Sequence, residues 1–211
     1  MKNLFDSPYR QSQDYRLREF INNNYPLPIG LHFENTIDLC FKLAEINFHL
    51  DRSIMNPKEV VHGFTGEVIT KPLVYNTLNM DEIKQITKGL MNLVKPSGKE
   101  EFGIFYYLLI TKGHFFEDSN GRIARIIAAS VLGLDKKVTL SLVSQNYEVR
   151  EWIGHLEGDD ILDPILRFQT LYNSAISESN RKEFIRILKG ELPENLREFK
   201  PNYEKRDKAN R

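Results

Sequence analysis

The chain has 211 residues, 41% of them apolar, and its 29 lysines and arginines balance 29 aspartates and glutamates. That length and apolar content suit one domain with short extensions, and the even charge excludes a nucleic-acid or membrane-surface partner held by bulk electrostatics. One cysteine, Cys40, excludes an internal disulfide; the N-terminal stretch has no signal-peptide core, and the longest apolar run, Ile104 to Ile110, is too short for a bilayer, so a soluble cytoplasmic protein is expected.

In chain order, Ile37, Leu39, Cys40, Phe41, Leu43, Ala44, Ile46 and Phe48 predict a helix from about Asn35 to Leu50, with Cys40 a buried, inert thiol. Residues 60–69 and 73–75 are β-branched or aromatic runs broken by Gly63, Gly66 and Pro72, which predicts extended chain or a small hairpin between Val60 and Tyr75. Met80, Ile83, Ile86, Leu90, Met91 and Val94 recur at helical spacing. Glu101 to Lys112 and Ile123 to Leu134 are apolar nearly all round, the mark of helices at the centre of a bundle. Gly113 stands where a helix C-terminus takes a left-handed residue, and Asp118 or Ser119 can cap the next helix. Further helices are expected from Leu140 to His155, Ile161 to Ser177 and Ser179 to Leu188. The resulting division is N-terminal helices over 1–59, a core domain over 60–188 and a polar C-terminal tail over 189–211.

The chemistry concentrates between the two apolar helices, in His114-Phe115-Phe116-Glu117-Asp118-Ser119-Asn120-Gly121-Arg122 followed by Arg125. A helix N-terminus offers unpaired N–H groups and partial positive charge, so the backbone from Asn120 to Ile123 is a natural anion site, which Gly121 leaves open to close approach. Arg122 and Arg125 lie three residues apart on one helical face and can neutralise a polyphosphate. Asp118 supplies a carboxylate of the kind Mg²⁺ takes beside phosphate oxygens. His114 has the side-chain type that titrates near neutrality and can accept a proton from a hydroxyl. Phe116 would anchor the loop in the core.

These residues resemble the Fic family signature H-x-F-x-[D/E]-G-N-[G/K]-R, with the second arginine of its longer form at Arg125. Two segments add to the likeness, which covers roughly Val60 to Leu171. Phe64-Thr65-Gly66-Glu67-Val68 is similar to the segment entering the family's target-positioning flap, although its usual following arginine is Ile69 here; Tyr147, Gly158-Asp159, Asp163-Pro164-Ile165 and Phe168 resemble a downstream segment whose tyrosine lies towards the nucleotide. The resemblance implies an all-α Fic-type helical bundle with a small β-hairpin flap beside the active-site loop. It implies a protein adenylyltransferase that moves AMP from Mg-ATP to a Ser, Thr or Tyr hydroxyl of a protein target held at the flap. His114 would be the base, Asp118 the Mg²⁺ ligand, Asn120, Gly121 and Arg122 the holders of the transferred phosphate, Arg125 the holder of the outer phosphates, and Tyr147 a nucleotide contact.

The chain departs from the signature at Phe115, where proline is common, and at Ser119, where the family has glycine. Ser119 adds a Cβ and hydroxyl beside the phosphate, which slows AMP transfer or suits a different nucleotide or phosphodiester donor; removal of the modification, or a non-catalytic nucleotide-binding module, are the other readings. Retention of His114 with Asp118 argues against the last, because binding alone needs no base. Many family members carry an inhibitory helix, [S/T]-x-x-x-E-[G/N]. No intact copy occurs here, but Glu34, Glu183 and Glu194 lie in partial ones, and control by such a glutamate or by a separate small antitoxin is left open, as is a homodimer. His32, His49, His62 and His155 are scattered without a metal-ligand pattern.

Overall fold

The computed structural model describes residues 8–29, 33–48, 60–61, 68–69, 80–113, 115–116, 120–143, 156 and 163–191. The described architecture is all-α. Its helices are α1 (Pro8–Asn24), α2 (Phe33–Phe48), α3 (Met80–Val94), α4 (Gly98–Gly113), α5 (Asn120–Leu132), α6 (Lys136–Ser141), α7 (Pro164–Ala175) and α8 (Glu178–Leu188). Two short strands, β1 (Val60–Val61) and β2 (Val68–Ile69), pair antiparallel with Val60 opposite Ile69 and Val61 opposite Val68. The rest of the segment expected to form the hairpin, through Tyr75, lies outside the described residues, as do 1–7 and the tail beyond 191.

Local chemistry sets the helix ends. Asp81 and Glu82 place negative charge in the first turn of α3, which ends where Lys95 takes a positive φ of 48° ahead of Pro96. At the start of α4, Glu101 Oε2 accepts from the Ser97 backbone N–H at 2.8 Å and from its hydroxyl at 3.1 Å. Asp135 accepts from Val138 N–H at 2.8 Å to open α6, and Asp163 accepts from Ile165 and Leu166 N–H at 2.8 and 2.9 Å to open α7. α5 and α8 both close on glycine in the left-handed region, Gly133 at φ 70° and Gly190 at φ 75°. In each, the next residue's N–H reaches back five residues, from Leu134 to Ala129 O and from Glu191 to Arg186 O.

Helices α4 and α5 form the centre. Residues Gly103 to Ile110 of α4 and Ile123 to Ala129 of α5 are buried without interruption, as a helix apolar on every face requires. The two backbones approach closely at Gly103, where a Cβ would stand 3.2 Å from Leu132 Cγ and 3.5 Å from the Ala128 carbonyl oxygen. α2, α7 and α8 pack around this pair. Phe105 meets Phe168 and Tyr172 of α7 edge-on, at 5.8 and 6.3 Å between ring centroids, and Tyr107 meets Phe184 of α8 at 5.4 Å. Cys40 is buried in the same core, and burial pushes its thiol pKa up, which keeps it protonated and inert. Among the described residues no helix is long and apolar enough to cross a membrane.

One helical expectation changes. Of the run expected as a helix from Leu140 to His155, Leu140 and Ser141 are the end of α6, which starts earlier at Lys136, and Leu142 and Val143 stand in a turn; residues 144–155 lie outside the described residues. The Asp135 cap sets the early start. At the other end Leu142 and Val143, 0% and 1% exposed, are held in the core as the chain turns, so apolar residues here mark a buried turn as well as a helix.

Candidate functional site

The candidate site lies where α4 hands over to α5. The last turn of α4 is tightened by Thr111, whose hydroxyl donates to the Tyr107 carbonyl at 2.7 Å, and it ends at Gly113. That glycine is not left-handed, contrary to expectation; positive φ among the described glycines belongs to Gly98, Gly133 and Gly190. What position 113 needs is room, since three atoms of the Phe115 ring would lie within 2.8 Å of a Cβ there. Phe115 folds back over the helix end and Phe116 points into the core, 8% and 6% exposed, with the Phe116 ring edge-on to Phe41 of α2 at 5.3 Å.

Asn120 then closes the turn. Its Oδ1 accepts from the Phe116 N–H at 3.1 Å and its Nδ2 donates to the Phe116 carbonyl at 2.6 Å. Each polar atom of the 6% exposed side chain thus makes a bond that shapes the loop. Asparagine stands in the signature among residues expected to hold the transferred phosphate, and here its side chain also holds the chain that presents the helix start. The first-turn N–H groups of α5 begin at Asn120, where no carbonyl four residues back lies within the helix.

Arg122 and Arg125 leave α5 on neighbouring positions but reach different anchors. Arg122 Nη1 donates to Asp14 Oδ1 of α1 at 2.9 Å, with the two side chains 11% and 27% exposed. Arg125 is 2% exposed and its Nε donates to the Leu142 carbonyl at 3.0 Å, at the C-terminal end of α6, where carbonyls lack helical partners. Helical side chains lean towards the N-terminus, and Arg125 does so: its Nη1 would stand 3.4 Å from a Cβ on Gly121. The bare backbone of Gly121 thus adjoins a guanidinium at the positive end of α5, so side-chain charge and helix dipole add at one place.

His114, Glu117, Asp118, Ser119 and Tyr147 lie outside the described residues. Among the described residues no three metal-ligating side chains gather; an ion that takes one carboxylate and completes its shell with phosphate oxygens and water needs no such group. Of the glutamates in partial inhibitory motifs, Glu34 is exposed in the first turn of α2, Glu183 is half-buried on α8, and Glu194 lies outside the described residues. It is Asp14 whose carboxylate meets Arg122, and sequence reading passed over it. The available signal was faint: Asp14, Leu17 and Ile21 share one face of an otherwise polar helix. The Leu142 carbonyl carries no side-chain signal.

A scan against protein-family models, a search of curated proteins and a search of solved structures find no match to this chain.

Proposed function

We propose that the chain is a Fic-type protein adenylyltransferase, with an all-α bundle bearing a β-hairpin flap beside the loop from His114 to Arg122. The observation that carries this reading is the way Asn120 ties the Phe116 turn to the start of α5, with Gly121 bare and the Arg125 guanidinium beside it. A loop shaped by its asparagine and opening on a positively charged helix start suits a phosphate whose charge grows during transfer.

In the proposed reaction a hydroxyl oxygen of the protein target attacks the α-phosphate of ATP, the bond to the β-phosphate oxygen breaks, and pyrophosphate leaves. His114 takes the hydroxyl proton. The first-turn N–H groups of α5 and the Arg122 side chain meet the phosphate charge, while Arg125 adds field from its buried position. Mg²⁺, for which the Asp118 carboxylate is a suitable hard oxygen ligand, would neutralise phosphate charge when bound. The strands β1 and β2 belong to the segment that would present the target, by pairing with its extended backbone.

The test is incubation with Mg²⁺ and a panel of labelled nucleotides and nucleotide-linked phosphodiesters, followed by intact-mass spectrometry of the protein and of candidate targets. An added AMP mass with ATP, lost in His114→Ala by ~10²- to 10⁴-fold, is the expected result for a general base. Undiminished labelling by His114→Ala refutes the assignment. Labelling only from a different donor would replace ATP as the substrate.

A further inference from the structure

We propose that Asp14 is a positioning residue: from α1 its carboxylate fixes the Arg122 guanidinium beside the start of α5 in the orientation that receives a phosphate. The inference rests on the reading of this helix start as a nucleotide-phosphate site.

Three observations carry it. The contact is made by an arginine largely withdrawn from water, 11% exposed, at 2.9 Å from a carboxylate 27% exposed; a charge-assisted hydrogen bond there is directional as well as strong. The helix that carries the carboxylate is held on the core. Leu17 and Ile21, on the same face of α1 as Asp14, are fully buried, α1 packs on α2 and α6, and beyond the far end of α5 the Tyr25 hydroxyl donates to the Leu134 carbonyl while Lys136 Nζ donates to the Asn22 carbonyl at 3.0 Å. α1 is therefore tied at Arg122 and again just beyond the C-terminus of α5. Lastly, Arg122 has a long side chain whose rotamer freedom would otherwise be lost at the moment of ligand binding.

The experiment is calorimetric titration of pyrophosphate and of ATP into wild type, Asp14→Asn, Asp14→Ala, Arg122→Ala and the double variant Asp14→Ala/Arg122→Ala. Asp14→Ala is expected to weaken binding ~2- to 10-fold, the scale of ordering one rotamer-rich side chain. Asp14→Asn falls between, because its amide oxygen still accepts from Nη1. The loss persists from ~0.15 to ~1 M salt, over which the Debye length falls from ~8 to ~3 Å, since orientation is not screened. In the Arg122→Ala background, Asp14→Ala has no further effect. Tighter binding in Asp14→Ala would make the carboxylate a brake and overturn the proposal; so would an equal loss with and without Arg122, which marks a merely structural role. If Arg122→Ala weakens binding while Asp14→Ala does not, this inference fails alone; if wild type binds neither probe, the proposed function fails and takes it along. Should Asp14→Ala not fold, Asp14→Asn in both backgrounds completes the same cycle.

Discussion

Replacing Asn120 tests whether the loop is shaped by its side chain. Asn120→Ala removes the bonds to the Phe116 N–H and carbonyl, 3.1 and 2.6 Å long, where both residues are 6% exposed. Leaving a buried backbone donor or acceptor unpaired costs about 1–3 kcal/mol, so two such groups, partly rehydrated, predict a loss of ~2–4 kcal/mol. For a chain of this size each kcal/mol is ~2–4 °C, so calorimetry should place Tm ~4–16 °C below wild type. Asn120→Asp sharpens the test, because it keeps an acceptor for the Phe116 N–H but turns a second oxygen towards the Phe116 carbonyl. The protonated acid can donate to that carbonyl and burial at 6% exposure disfavours the ionised form; together these outweigh the opposite pull of the α5 N-terminus and Arg125, so the folded pKa rises above the unfolded value of ~3.9. The added stability is present below the unfolded pKa and lost as pH rises through the folded one. The Tm deficit of Asn120→Asp should therefore shrink on going from about pH 7 to about pH 4. An Asn120→Ala protein melting within ~1 °C of wild type, far less than two lost bonds imply, would refute the clasp; so would a deficit in Asn120→Asp that ignores pH.

Gly113→Ala should destabilise despite the ~1 kcal/mol that alanine brings to a helix, because crowding a packed ring costs ~1–3 kcal/mol. In a Phe115→Ala background the same change should become neutral or favourable in urea denaturation, and an identical cost in both backgrounds would show that the ring is not what excludes the Cβ. At alkaline pH, burial pushes the Tyr106 hydroxyl from 10.0 up to about 12, so the folded chain keeps a proton that the unfolded chain gives up. Stability from this residue is intact below pH ~10 and falls by ~1.4 kcal/mol per pH unit between pH ~10 and ~12. Tyr106→Phe should lower that slope in chemical denaturation, leaving the share of Tyr172, whose hydroxyl burial also pushes up, and an unchanged slope would contradict the assignment.

Much of the helical core was legible because α4 and α5 are apolar on every face, a pattern that only a central position satisfies, and because α3 and α8 keep a regular spacing. α1 was not delimited, since Leu17, Phe20 and Ile21 are its main apolar contribution and the helix is otherwise polar. Its stability comes from tertiary packing on α2 and α6, which periodicity does not register. Within the site, residue types were readable and allegiances were not. Asn120, Gly121, Arg122 and Arg125 could be named from spacing, but that Asn120 turns back to Phe116, that Arg125 meets a backbone carbonyl on α6, and that Arg122 answers to an acid 108 positions earlier are facts of folding. Gly113 shows the same limit: the need for glycine was visible, and its cause, a ring two residues ahead, was not.

The ends of the handover loop are fixed by elements that cannot adjust. Gly113 belongs to a helix locked against its neighbour at Gly103, and Asn120 opens a helix whose Arg122 and Arg125 are each tied elsewhere. With both ends held and Phe116 bound to Asn120 across four positions, the number of residues between them is as constrained as their identity. Inserting or deleting one between Phe116 and Asn120 would disturb that bonded spacing, and one between Asn120 and Arg122 would turn both arginines about 100° around the helix and away from Asp14 and Leu142. Natural variation in this segment should therefore proceed by exchange at constant length, and a library that alters specificity here should vary side chains while leaving the spacing untouched.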